Sequence, residues 1–499
     1  MRLLRASRNC PKAAQKATCA IHGSVHNKVR RCKKMCVLAG MLFLVITCRP
    51  YGQNQAPGRS GDETVALTLD QAVEFALSHY PAVRAVLAQA AASRSGVDLA
   101  RTAYLPRTDL VWQANRATRN NVFGLFFPQP IPLPISGPVL GTNTGTNVWG
   151  TATGFLFNWE PFDLGLRKAQ VGTARAQEAQ TKTAIEVTRQ DVAVAAADGF
   201  LTLLASQQAV RVAQASVDRA RVLANTIDVL VTNELRPGAD ASRAKAELAA
   251  ADTQLIQAQQ SEQISRVTLA QLLGVAGTAV TIQEGPLLQM PPSIETTPAS
   301  VTTHPLASFQ AAAVDVVKAR QKELDRSYFP KFDFQAATFG RGSGALTSSE
   351  TLGGLNGLAP NTFNWAVGFT AKFALFDFSS IRDRKEIEKH LATAESARFD
   401  QVVQNLTAQN ERARAEAEGA RRVAENTPIQ LDAAKATEAQ VHARYQAGLA
   451  TVVDVADAQR LLAQAEIEDS LARLRVWRAL LALAASRGDL EPFLQEVRK

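Results

Sequence analysis

Glu160-Pro161-Phe162-Asp163-Leu164-Gly165 and Leu375-Phe376-Asp377-Phe378 carry the same Phe-Asp pair 214 residues apart, and this echo decides how the chain is organised. The same offset returns at Asp240 and Asp454, at Ala244 and Ala458, and at Gly274 and Gly488. Upstream the offset is 224, linking Pro81 to Pro305, Tyr104 to Tyr328, Pro106 to Pro330 and Asp109 to Asp333. One unit is therefore present twice. The difference of 10 residues falls between Asp109 and Phe162. There the chain reads Phe127-Pro128-Gln129-Pro130-Ile131-Pro132-Leu133-Pro134, then a Gly/Thr/Asn stretch to Asn147. Its counterpart Gly340–Asn361 is a shorter Gly/Ser/Thr stretch, and both read as loops. Loops tolerate changes of length. The fixed separation from Phe162 to Gly274 instead marks arms that must end at a common level.

Those arms are helical. From Leu164 to about Thr232 the chain has no Pro and is dominated by Ala, Gln, Arg, Val and Glu. This spacing predicts one helix of roughly 70 residues, about 100 Å long. Arg382 to about Gln446 repeats it, with Thr427-Pro428 expected to kink it locally. Asp240–Leu273 and Thr451–Ser486 read as shorter returning helices, and Ala82–Ala103 and Leu306–Arg326 as shorter ones still. A short helix stacked on a returning one would nearly match a long one. Helices of this length require coiled-coil-like packing, and the poor, Ala-rich heptads imply close approach.

Between the helices lie strands. Phe363, Trp365, Val367, Phe369, Ala371, Phe373 and Leu375 alternate with Asn364, Ala366, Gly368, Thr370, Lys372 and Ala374, a period of two with the aromatics on one side. Phe332-Asp333-Phe334-Gln335 and Asp109-Leu110-Val111-Trp112-Gln113 alternate likewise, whereas Asn147–Trp159 is strand-like with less distinct faces. This pattern suits a membrane β-strand with an apolar outer face, or a soluble antiparallel sheet over an apolar core. Four strands cannot close a barrel alone, since about eight are the practical minimum, and open edges are not viable in lipid. Strands of several copies would have to join; three copies would give about twelve, enough for closure.

Charge and cysteine mark off a leader. The chain's formal charge is +9, but residues 1–48 hold ten Lys/Arg and no acid, leaving 45 basic against 46 acidic residues beyond them. The basic balance thus gives no reason to expect a nucleic-acid partner. All five cysteines (Cys10, Cys19, Cys32, Cys36, Cys48) lie in the same segment, so cysteine-ligated zinc, thiol nucleophiles and internal disulfides are excluded from the body. Arg30, Arg31, Lys33 and Lys34 precede an apolar run, Cys36–Thr47, of signal-peptide length and too short to span a bilayer. Export is expected. Val45-Ile46-Thr47-Cys48 approximates a lipobox, with Thr47 where Gly, Ala or Ser is usual, so Cys48 is a possible lipidation site. The stretch ahead of the basic cluster is long for a signal peptide, which points to a true start near Val25 or Val29.

The order of these motifs resembles the TolC-type outer-membrane efflux proteins over about Leu67 to Leu490. Leu67-Thr68-Leu69-Asp70-Gln71-Ala72-Val73-Glu74-Phe75-Ala76-Leu77, then Tyr80-Pro81, is similar to the start of the mature family. Ala103-Tyr104-Leu105-Pro106 and Ser327-Tyr328-Phe329-Pro330 resemble its helix-to-strand joints. The two Phe-Asp segments resemble its strand-to-helix joints, and Tyr445-Gln446-Ala447-Gly448 with Thr451–Gln459 resembles its hairpin tip.

The resemblance implies a homotrimer in outer-membrane lipid, with a 12-stranded barrel continuing into a periplasmic α-barrel. It also implies docking onto a periplasmic adaptor (membrane-fusion) protein fed by an inner-membrane transporter. The fold class is then mainly α with a transmembrane β-barrel, and the function is that of an exit duct for efflux or secretion. Asp454 and Asp457 match family carboxylates that line the periplasmic constriction, and Tyr445 a tyrosine of its closing network. Rings of carboxylates around a narrow pore would favour cations; alternatively both aspartates cap the returning helix. Asp240 is the repeat equivalent of Asp454. Leu235, Gly238, Gly448 and Leu449 fall at the hairpin tips, where the adaptor would dock. The chain departs from the family in lacking an Arg near Ala450, and in carrying Val231 and Glu234 opposite Tyr445 and Gly448.

The expected boundaries are a leader over 1–48, a linker over 49–66, a first repeat over 67–282 with strands at 107–122 and 147–160, and an equatorial segment over 283–303. A second repeat follows over 304–490, with strands at 331–340 and 361–376, then a tail over 491–499. An enzyme is not expected. Beyond the leader, His79, His304, His390 and His442 stand in no metal spacing, and no phosphate loop or nucleophile elbow occurs. No cofactor or metal is expected. The competing reading is an exported structural coiled-coil protein, which predicts neither barrel strands nor a pore.

Overall fold

The structure is a computed structural model that describes residues 66–118, 147–234, 237–291, 301–344, 350–373 and 376–498. In chain order the elements are β1 (Ala66–Leu67), α1 (Leu69–His79), α2 (Pro81–Thr102), β2 (Arg107–Thr118) and β3 (Asn147–Phe162). Then come α3 (Leu166–Thr232), α4 (Gly238–Leu272), β4 (Thr281–Ile282), α5 (Pro305–Arg326), β5 (Lys331–Ser343) and β6 (Thr362–Lys372). The chain closes with α6 (Phe378–Gln446), α7 (Val452–Arg487) and α8 (Glu491–Arg498).

The two long helices run to 67 and 69 residues, about 100 Å each. Their partners split at one height in both repeats, and the sequence shows why. Tyr80-Pro81 and His304-Pro305 place proline at the first helical position, where its missing N–H costs nothing. Gly274 and Gly488, just beyond α4 and α7, adopt φ of +77° and +79°. A Cβ on Gly274 would lie 3.1 Å from the His79 carbonyl oxygen, and one on Gly488 only 2.5 Å from Pro305 Cδ. Each returning helix therefore ends against the start of its own repeat's short helix, the stacked arrangement anticipated from their lengths. Gly488→Ala is expected to destabilise the protein by at least 1–2 kcal/mol from the left-handed backbone alone (roughly), with the clash in addition. Thermal unfolding of the purified variant checks this.

Along the molecule α3 packs on α2 and α4 within its own repeat, and on α5 and α7 of the other; α6 packs on α5 and α7. The four columns therefore run in the order α2/α4, α3, α5/α7, α6. The main core sits at the level of the splices. There Leu69, Val73, Phe200, Leu204, Leu269 and Trp477 are buried together, each large side chain contributing about 1.5–3 kcal/mol. β1 and β4 form a small parallel pair beside it, Ala66 opposite Thr281 and Leu67 opposite Ile282. The segment expected to be a tail folds as α8, because Phe493 is 1% exposed and meets the Trp477 ring edge-on at 6.1 Å.

The four longer strands form one antiparallel sheet in the order β2-β3-β5-β6. Register places Leu110 opposite Phe155, Phe155 opposite Thr338, Phe334 opposite Phe369, and Thr338 opposite Trp365. Opposed residues share a face, so one face carries Leu110, Trp112, Phe155, Phe157, Trp159, Phe334, Trp365, Val367 and Phe369. The other carries Asp109, Gln113, Asn158, Gln335, Asn364 and Thr370. β3 thus has a clear aromatic face, obscured in the sequence by the apolar Val148, Ala152 and Leu156 on its other face. Trp112, Phe363 and Trp365 are each more than 70% exposed, an apolar surface turned outwards. α6 runs through Pro428 as a single helix. The proline cannot bond Ala424, four residues back, and the Thr427 hydroxyl lies 3.5 Å from that carbonyl while donating to buried Asp469 at 3.0 Å.

Candidate functional site: the hairpin tip and the strand-to-helix joint

At the tip of the second hairpin, α6 ends in a Schellman arrangement. Gly448 takes φ of +74° and donates to the Tyr445 carbonyl, while the Leu449 N–H bonds Arg444 O at 2.8 Å. Thr451 then opens α7 with a capping box. Its hydroxyl accepts the Asp454 N–H at 3.3 Å, and its own N–H donates to Asp454 Oδ2 at 2.7 Å. The first hairpin turns differently. Glu234, the equivalent of Gly448, bears a φ of +60°, a conformation costing a side-chain-bearing residue about 1–3 kcal/mol. Pro237 then leads into α4, and Gly238 and Leu449 are exposed. Leu235 lies outside the described residues, as does Cys48.

Asp454 and Asp457 are both exposed on the first turns of α7. Asp457 pairs with Arg460. Asp454 is engaged as a cap, so the capping role weighed for it holds. The Thr451 backbone N–H and hydroxyl hold its carboxyl below the usual range, and the Arg444 guanidinium adds to this. Because its folded-state pKa is depressed, this contribution is present above the ordinary carboxylate pKa and vanishes as pH falls through the folded value. Asp240 sits in the first turn of α4 with its N–H on Pro237 O. Tyr445 is buried with Leu223, Ile227, Val452 and Val455, the cluster that ties the two hairpins together at their tips. A cleft of about 550 Å³ opens beside it, lined by Asp218, Leu223, Glu438, His442 and Gln459 among others.

Sequence reasoning missed Arg444. It lies one residue before Tyr445 and sends Nη2 toward the Leu449 carbonyl at 3.4 Å. A cation therefore stands beside Asp454 although none follows Gly448 in the turn.

A second site is buried where the sheet passes into α3. Asp163 accepts the Gly165 N–H at 3.1 Å, the Arg167 N–H at 2.5 Å and Arg167 Nε at 2.9 Å. Arg167 Nη1 donates to the Ala103 carbonyl at 3.1 Å, and its guanidinium lies over the Tyr104 ring at 5.0 Å. Trp159 Nε1 reaches the Tyr104 carbonyl at 3.2 Å. Burial resists ionisation of Asp163, but the bonds from Arg167 and Gly165 prevail and its pKa is lowered. In the second repeat Asp377 is exposed and Ile381 replaces Arg167, so the pair occurs once.

A half-exposed aromatic sheet is thus joined to two helical hairpins of matched length. A family model described as outer membrane efflux protein matches residues 72–275 and 306–489, and the chain belongs to that family. No curated protein matches the chain. Among solved structures, the outer-membrane channel OprN is 20% identical with a TM-score of 0.65, covering 84% of this chain and 89% of that one. The Campylobacter jejuni CmeC outer membrane channel is 12% identical with a TM-score of 0.69, over 86% and 89%. The Neisseria gonorrhoeae MtrE channel, solved in its open state, is 18% identical with a TM-score of 0.64, over 84% and 89%. At such identities these likenesses speak to the fold. They agree with the TolC-type reading, and family and neighbours are channels rather than enzymes.

Proposed function

We propose that three copies of this chain form an outer-membrane duct, which passively carries substrate received from a periplasmic adaptor and an inner-membrane pump. The observation that carries this reading is the sheet. Its outward face is aromatic, and β2 and β6 stand at its two ends, each with a strand edge to offer. Open edges in lipid are costly, and joining β6 of one copy to β2 of the next removes them. A coiled-coil protein without a pore gives no account of this face. Asp454 and Asp457, besides their local bonds, would ring the narrow end of the duct, with Asp240 and Tyr445 beside them. Gly238, Gly448 and Leu449, with Leu235, would meet the adaptor.

Purified in detergent, the protein is expected to run as a trimer and to conduct ions in planar bilayers. Monomers with no conductance would reject the proposal. Replacing Asp454 and Asp457 together by Asn is expected to reduce cation selectivity severalfold, because carboxylate rings set it. Selectivity equal to wild type would remove both residues from the pore.

A further inference from the structure

The duplication sets an apolar place in the first repeat against a charged one in the second. Phe200 of α3 and Leu273, just past α4, are both 0% exposed and belong to the main core. The offset of 214 carries them to Arg414 of α6 and Arg487 of α7. We propose that Arg414 and Arg487 form a binding site for an oxyanion of phosphate type. The site lies within one chain and does not depend on how copies assemble.

Arg487 Nε and Nη2 are buried without an acceptor among the described residues, and so is Arg414 Nε. A buried donor left unbonded bears its full desolvation penalty, and a charged one bears more. Buried charges are therefore found with partners. The acids nearby are engaged elsewhere. Glu411, mostly exposed, lies 3.5 Å from Arg414 Nη1 and leaves Nε free. Asp489 accepts the Glu491 N–H at 3.0 Å. One turn back on α6, Asn410 Nδ2 donates to Ser486 Oγ at 3.3 Å, so the surroundings are polar. Nε and Nη2 share one edge of the guanidinium, and their parallel N–H groups match two oxygens of a single oxyanion. Burial, and then the neighbouring Arg414 charge, push the Arg487 pKa down. A phosphate carries about two negative charges at neutral pH, enough to offset both guanidinium groups, which a lone carboxylate is not. The Arg414 side chain is 33% exposed, which leaves a way in from solvent.

Full-length protein purified in detergent tests this, with inorganic phosphate as the probe. Thermal unfolding is followed while sodium phosphate replaces sodium chloride at constant ionic strength. Phosphate is expected to raise the wild-type midpoint by roughly 2 °C and then saturate, as one bound ligand does. Arg487→Met should abolish this saturable rise, and Arg414→Gln should weaken the apparent phosphate affinity severalfold. Titration calorimetry should count one phosphate per chain in the wild type and none in Arg487→Met. An equal midpoint response in wild type and Arg487→Met would mean general exclusion of phosphate from the protein surface, and overturns the site. So does a wild type that gives no heat of binding. If Arg487→Met does not fold, Arg414→Gln decides: an unchanged phosphate affinity there rejects the proposal.

Discussion

Arg167→Met should cost about 3–5 kcal/mol, the usual penalty for stranding a buried charge. Arg167 and Asp163 are 5% and 10% exposed at their side chains, so water cannot replace the lost guanidinium. The change also releases the Ala103 carbonyl and the stacking over Tyr104, loosening the joint of the first repeat, where the end of α2, β3 and the start of α3 meet. Unfolding of the purified protein by guanidinium measures the loss. The double variant Asp163→Asn/Arg167→Met should recover part of it, because no charge is then left uncompensated. A double variant worse than the single would refute the electrostatic account. The pH dependence has a defined sign. Asp163 has a lowered pKa, so its contribution is full above the ordinary carboxylate range and is lost as pH falls through the folded-state value.

Trp477→Ala should be of similar size, about 3–5 kcal/mol, since the indole is 2% exposed in the main core and truncation leaves a cavity. The indole also donates to the Gln289 carbonyl at 3.1 Å and braces Phe493 of α8. Trp477→Phe separates these roles. It retains most of the apolar contact and loses the donor, for about 1 kcal/mol. Thermal unfolding ranks the two; equal midpoints would mean that the site collapses without cost.

Much of the fold could be read because its signals are long. A proline-free run that becomes a 67-residue helix, and strict alternation from Phe363 to Phe373, each integrate many weak preferences. The duplication fixed the boundaries more sharply than periodicity, since Gly274 and Gly488 mark the same steric requirement twice. What escaped was short or tertiary. α1 is set off by Tyr80-Pro81, and its start was available in the Thr68-x-x-Gln71 capping box. α8 has only 8 residues and is held by Trp477, a contact no local pattern reports. At the tip, the residues resembling the family's were identifiable, but Arg444 was not, because its partner is a carbonyl across a turn. The bond network at Asp163 was equally hidden: Arg167 reads as one more charge on a long helix until Ala103 and Tyr104 are brought beside it.

The paired breaks at Gly274 and Gly488 carry a mechanical meaning. At that height two of the four columns are interrupted and held by contact alone, while α3 and α6 pass through unbroken. Between tip and sheet, unbroken helix therefore runs only along α3 and α6 among the described residues, and the other two columns rely on packing at the splice to stay in line.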